Sequence, residues 1–433
     1  MIIVDRALQA RAEAGTPVLV GMVGAGAMGR GIARQIVRGF PGLRLAAIAN
    51  RTVENAERAY REAGLDSQVA VGSVGELERA IAAGAPAVTD DPFLLCEAGP
   101  TEAIIEVTGT IEHAAGVVGH AIEHGKHIIL MNAELDGTVG PILKTRADEA
   151  GVILSGCDGD QPGVQINLYR FVRTIGLTPL VCGNIKGLQD RFRNPTTQAG
   201  FAAKWGLGVA MVTSFADGTK VSYEQAIVAN ATGLRAPRRG LYAWDHTGHV
   251  DELVHRYDRD ELMAMGGIVD YVVGAAPSPG IYVIATHDEP YERKMLALYK
   301  KGDGPLYSFY TPQHLCHFEV PISVARVVLC DDVVMAPMGG PVVEVVATAK
   351  RALHADEVLD GIGGYMTYGQ CENADEARTG RLLPMGVAQG CQMRRAMPVD
   401  HVLTYDDVLL PAGRIVDRLR DEQERTFGTA RLA

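Results

Sequence analysis

Three groups of residues in this chain have the types and spacing of chemistry. The first is Gly24-Ala25-Gly26-Ala27-Met28-Gly29, which follows the apolar run Val18 to Val23 and opens the helix-like Arg30 to Val37. Gly24 suits a tight turn, Gly26 lets backbone N–H groups around Ala27 and Met28 approach a pyrophosphate, and Gly29 lets the helix pack closely on the strand. The helix N-terminus then favours an anion. The second group is Glu134, Asp158 and Asp160, able to hold Mg²⁺ or Mn²⁺ through oxygen or to serve as acid and base; loop aspartates bonding their own backbone are the competing reading. The third is cationic. Lys186, just beyond an apolar strand, is placed to stabilise and protonate a developing alkoxide, or else snorkels into solvent. Arg191 and Arg193 alternate with Asp190 and Phe192, so an extended segment would turn both guanidiniums to one side, suited to a phosphate or carboxylate; a surface charge pair with Asp190 is the competing reading. Lys204 beside Trp205, and Lys220, are candidates for the same pocket. His314 and His317, three apart, read as one helix face with a substrate-facing or capping role, since zinc needs more ligands than the segment supplies.

The second strand, Leu43 to Ala49, ends in Asn50-Arg51-Thr52, where an NAD site usually carries a carboxylate for the ribose 2′-hydroxyl. An amide, a guanidinium and a hydroxyl suit a 2′-phosphate instead, with Arg30 as a second positive charge, so NADPH is the expected cofactor. Thr108-Gly109 and Asn132 end later strands and should face the nicotinamide half.

These groups need elements to position them. Apolar strands alternate with helical segments up to Ser155, the pattern of an α/β doubly wound parallel sheet, with a short helix from Asp5 to Ala14 ahead of it. The expected organisation is an NADP-binding Rossmann domain at 1–160, an α+β substrate and dimerisation domain at 161–330, and a small β-rich domain at 331–433. The acidic run Asp251 to Glu261 reads as a solvated helix face.

With 433 residues, 47% hydrophobic and 21% charged, the chain can bury a large core. Its net charge of −11 argues against non-specific nucleic-acid or anionic-membrane binding. The expected partners are a phosphorylated small molecule and a second copy of the chain. Seven scattered cysteines without a C-x-x-C pair suit reduced thiols. The opening Met1-Ile2-Ile3-Val4-Asp5-Arg6 has no signal-peptide core and no segment is long enough to span a bilayer, so a cytoplasmic protein is expected.

Taken together, the glycine loop, Asn132-Ala133-Glu134, the Asp158 to Gly163 loop, Asn184-Ile185-Lys186-Gly187 and Tyr310 to Glu319 resemble the homoserine-dehydrogenase-like oxidoreductases. Residues Ala349 to Gly364 look like the antifreeze and sialic-acid-synthase-like (SAF) module of one branch, the deoxyxylulose-phosphate reductoisomerase-like proteins. The opening Met1 to Asp5 enters the same resemblance. It implies an NADPH-dependent homodimer that converts 1-deoxy-D-xylulose 5-phosphate to 2-C-methyl-D-erythritol 4-phosphate for isoprenoid synthesis. A homoserine dehydrogenase, or a related semialdehyde or polyol dehydrogenase, is the first alternative, and a non-catalytic nucleotide- or sugar-binding protein the second.

Overall fold

The computed structural model describes residues 4–428; Met1 to Ile3, part of the opening motif, lie outside them. Seven strands form one all-parallel sheet: β1 (Val18–Val23), β2 (Leu43–Ala49), β3 (Val69–Ala70), β4 (Ala87–Thr89), β5 (Ala103–Glu106), β6 (His127–Leu130) and β7 (Leu154–Gly156), in the order β3-β4-β2-β1-β5-β6-β7. Both faces are covered by helices, so these strands are runs of Val, Ile, Leu and Ala rather than alternating ones. Growth of the sheet reverses between β1 and β5, and the carboxyl ends of those two strands frame the crevice where such sheets bind ligands.

The chain divides into two compact units rather than three domains. The first holds the described residues up to Gly163 together with Leu315–Ala336, and the second holds Val164–His314 with the described residues from Pro337 onward. The reason lies in one helix. Val320–Cys330 places Val320, Val324 and Val327 at i, i+4 and i+7, and all three are buried in the first unit's core with Val4, Leu8, Val18 and Ile32. Each buried valine contributes about 1.5–3 kcal/mol, which holds this segment to the first unit although the chain on both sides of it belongs to the second.

In the second unit, β8 (Thr178–Lys186), β9 (Trp244–Asp245), β10 (Ile268–Val273), β11 (Gly280–Thr286) and β12 (Leu306–Thr311) make a mixed sheet in the order β12-β11-β8-β10-β9. The C-terminal segment is β-rich as expected, with β13 (Val343–Ala349) antiparallel to β14 (Thr367–Asn373) and β15 (Gln392–Met393) to β16 (Val408–Leu409). It is not a separate body. The helix Thr219–Thr232 is buried along nearly its whole length; Asn230 Oδ1 accepts from the amides of Val342 and Val343, and Thr219 Oγ1 accepts from Gly369 N. The acidic run at 251–261 is split between a 3₁₀ turn, Val250–His255, and a short helix, Arg259–Met265. The seven cysteines form no disulfide. Among the described residues no helix is long and apolar enough to cross a membrane.

Candidate active site

The glycine turn is built as its residue types require. Gly24 has φ +111°, and a Cβ there would lie 2.9 Å from the carbonyl oxygen of Val107. A Cβ on Gly29 would collide with the carbonyl oxygen of Gly24, so both positions exclude side chains. Gly26 differs: it is the N-cap of the helix Ala27–Arg38, makes no side-chain cap, and a Cβ there would meet nothing within 4 Å. The helix therefore presents uncapped N–H groups to open space, with no acidic residue in its first turn. That cradle fits a dinucleotide pyrophosphate.

At the end of β2, Asn50 takes a bracing task. Its Oδ1 accepts from Ala25 N at 3.1 Å and its Nδ2 donates to Thr52 O at 2.8 Å, which spends the amide on the turn. Arg51 and Thr52 are exposed, and among the described residues no carboxylate pairs with Arg51. Arg30 does not join them, because Glu62 holds its guanidinium at 3.1 Å.

Glu106, at the carboxyl end of β5 and paired in register with Val23, is a functional candidate that the sequence reading passed over. It is fully buried. One carboxyl oxygen accepts from Thr108 N at 2.9 Å and from the Thr108 hydroxyl, and the other accepts no hydrogen bond among the described residues. Burial pushes its pKa up to about 7, against the Thr108 hydrogen bonds that lower it. The signal available was a carboxylate closing the otherwise apolar strand Ala103-Ile104-Ile105. Gly109, at φ +69°, turns the chain after Thr108. Asn132 organises the next loop: it caps the helix Ala133–Glu149 by accepting from Leu135 N at 3.1 Å and donates to Thr110 O at 3.0 Å.

The expected carboxylate cluster is corrected. Asp158 is fully buried, its Oδ1 held by Arg326 Nη1 at 2.7 Å and its Oδ2 by the Ser323 hydroxyl at 3.1 Å. Arg326 reaches on to Asp332 at 2.7 Å. A carboxylate so enclosed fastens the Asp158 loop to the returning helix Val320–Cys330 and is not open to a substrate or cation. Asp160 accepts from Gln161 N at 3.0 Å at the start of the helix Gln161–Thr174, and Glu134 lies half-buried in the first turn of Ala133–Glu149. Among the described residues Glu134, Asp158 and Asp160 do not converge as one ligand set.

The cationic group is also rearranged. Arg191 and Phe192 form a turn, not an extended strand, because Asp190 Oδ1 accepts from Phe192 N and Asp190 O from Arg193 N. Arg191 pairs with Asp400 at 2.9 Å and Arg193 with Asp190 at 3.1 Å. Lys204 is exposed on the helix Pro195–Trp205, its ammonium 5.3 Å from the centre of the Trp205 ring. His314 and His317 do not share a helix face: His314 lies in irregular chain after β12, and His317 in the 3₁₀ turn Cys316–Phe318. His317 packs on Gly31 of the glycine-turn helix, so closely that a Cβ on Gly31 would come within 2.6 Å of the imidazole.

Lys186, at the end of β8, is different in kind. Its side chain is 15% exposed, and Nζ donates to Glu224 Oε2 at 2.7 Å. Glu224 is buried on the helix Thr219–Thr232, and the same oxygen accepts from Asn184 Nδ2 at 2.6 Å. Asn184 Oδ1 in turn accepts from Gln165 Nε2 at 2.5 Å. This buried chain of hydrogen bonds fixes the ammonium. Glu224 and Gln165 come from helices distant in sequence, so local spacing carried no sign of them. Lys350, by contrast, gives its three N–H groups to Asp217, Arg193 O and Gly364 O, each at 2.8 Å, and has none left for a ligand.

A family described as homoserine dehydrogenase, NAD binding domain, matches residues 24–152, and one described as oxidoreductase DRL, catalytic domain, matches residues 159–320. With the glycine-turn geometry, these matches define the chain as an NAD(P)-dependent oxidoreductase. No curated protein matches it. Likenesses to solved structures are remote. Myo-inositol dehydrogenase from Lactobacillus casei, in complex with NAD(H) and myo-inositol, is 12% identical over 75% of this chain and 89% of that one, with a TM-score of 0.40. Myo-inositol 2-dehydrogenase from Lactobacillus plantarum is 12% identical over 62% and 74%, with a TM-score of 0.35. For an NAD binding oxidoreductase from Klebsiella pneumoniae the values are 14%, 41%, 45% and 0.30, so the chain spans under half of that protein.

Proposed function

We propose that the chain interconverts an alcohol and a carbonyl group on a small polar substrate with NADP(H), Lys186 being the group that donates a proton to the developing alkoxide. The observation that carries the reading is the uncapped helix N-terminus behind Gly24 and Gly29. When bound there, the dinucleotide supplies or accepts the hydride. Lys186, held by Glu224, stabilises negative charge on the substrate oxygen; Glu224 acts as a positioning residue. NADP(H) over NAD(H) rests on the absence of a carboxylate after β2 and on the exposed Arg51.

The finer reading is a phosphorylated hydroxyketone, 1-deoxy-D-xylulose 5-phosphate being the case implied by the resemblance, with the SAF-like reading of the C-terminal segment as part of it. Arg191 and Arg193 would serve the phosphate by exchanging Asp400 and Asp190 for it. A second reading, an amino-acid semialdehyde as substrate, is favoured by the homoserine-dehydrogenase match over 24–152. Loss of NADPH absorbance with each substrate separates them. Turnover of deoxyxylulose phosphate alone supports the first, turnover of aspartate semialdehyde alone supports the second, and no turnover of any carbonyl substrate would overturn the catalytic proposal. A cytoplasmic homodimer belongs to the same proposal; sedimentation at working concentration tests the dimer.

A further inference from the structure

The helix Ile111–Glu123 and its cap carry a group of side chains that the redox chemistry does not use. His120 and His124 are four residues apart and lie on one face, with ring centroids 4.2 Å apart. Glu97, at the end of the short helix Phe93–Glu97, reaches across so that its Oε1 is 2.9 Å from His120 Nε2. One ligand atom from each of Glu97, His120 and His124 lies within 4.8 Å of the other two. Tetrahedral zinc, with bonds of about 2.0–2.1 Å, places its ligand atoms about 3.4 Å apart, inside the 4.8 Å limit that the three meet and close to the 2.9 Å between Glu97 and His120.

The tautomers are also suitable. His124 Nδ1 lies 2.9 Å from the backbone oxygen of His120, which only accepts, so Nδ1 carries the proton and Nε2 keeps its lone pair. The Phe93 ring meets the His120 imidazole edge-on at 4.7 Å and limits its rotation. Leu95 and Cys96 between Phe93 and Glu97 are fully buried, as are Val117 and Ala121, so both supporting helices are anchored.

We propose that Glu97, His120 and His124 form a zinc site, with water completing the coordination. Two imidazoles and one carboxylate are a borderline donor set that suits Zn²⁺ better than Mg²⁺ or Ca²⁺. On binding, His120 carries its ring proton on Nδ1 instead of Nε2, so that Nε2 and the Glu97 oxygen that now face each other both turn to the ion. The helix runs away from the carboxyl edge of the sheet, so His120 and His124 lie about 14–20 Å along it from that edge, and the site ties two helices together instead of joining the redox chemistry.

The test is titration of the chelator-stripped full chain with Zn²⁺ against a chromophoric competitor, for the native protein, His124→Ala and Glu97→Gln. The native chain should bind one ion tightly and gain thermal stability from it, and each substitution should weaken that binding by about tenfold or more. All three side chains are at least partly exposed, so both variants should keep the native circular dichroism spectrum. Absence of zinc binding below millimolar concentration would overturn the proposal. So would undiminished binding in both variants, which would place the ion on cysteines elsewhere.

Discussion

At the scale of single residues, buried carboxyls and the buried Lys186–Glu224 pair have measurable consequences. Glu106 carries an ordinary carboxyl pKa of 4.5 when unfolded and about 7 when folded, so the native state binds the extra proton. Its contribution is complete below about pH 4.5 and is lost as pH rises through 7, a change of about 3 kcal/mol. Glu106→Gln should therefore flatten the fall in urea-unfolding free energy between pH 5 and 8; an unchanged slope would assign the titration elsewhere. Asp136, buried with one oxygen unpartnered and also raised to about 7, adds a fall of the same sign. For Lys186 the expectation is kinetic. Lys186→Ala should lower kcat by about 10²–10⁴-fold with NADPH affinity unchanged. Glu224→Gln should lower kcat less and shift its pH profile, because it loosens the ammonium without removing it. Equal kcat in all three proteins would remove Lys186 from the chemistry.

Elements explain why some of this was legible and some was not. The strands β1, β2, β5, β6 and β7 are mainly apolar runs and the glycine turn is a local pattern with a local cause, so these could be read along the chain, whereas β3 and β4, two and three residues long, were too short to stand out. The carboxylates at 134, 158 and 160 were equally visible, but the partner that removes Asp158 from chemistry, Arg326, arrives from a helix 168 residues later in sequence. Separation in sequence likewise hid Glu224 behind Lys186 and Asp400 behind Arg191, whereas Asp190, three residues from Arg193, was in view as its partner from the start. Nothing along the chain explains Gly31; its reason is His317. Alanine in a helix interior is normally worth about 1 kcal/mol over glycine. Here Gly31→Ala should instead destabilise by about 1–3 kcal/mol through overpacking, while the same change made in a His317→Ala background should stabilise. A double-mutant cycle by thermal unfolding gives the coupling, and additivity would show that the ring is not what the glycine accommodates.

At the scale of the whole molecule, the first unit is closed by a segment that leaves it at Gly163 and rejoins it at Leu315. Arg326 fastens that return through Asp158 and Asp332. Arg326→Met should cost about 3–5 kcal/mol, since it leaves the Asp158 carboxylate buried and unpaired. The double change Arg326→Met with Asp158→Leu should recover much of that loss in denaturant melts. The central claim concerns Gly26, where the fold has room for a side chain and the function does not. An aspartate there should cap the helix Ala27–Arg38 and leave the fold intact or more stable. Its carboxylate would occupy the place of the pyrophosphate. The most direct measurement is NADPH and NADH titration of the native chain and Gly26→Asp by calorimetry: the native protein should bind NADPH more tightly than NADH, and the folded variant should bind neither. Native protein that binds no nicotinamide dinucleotide, or a variant that binds it as well as the native chain, would contradict the account.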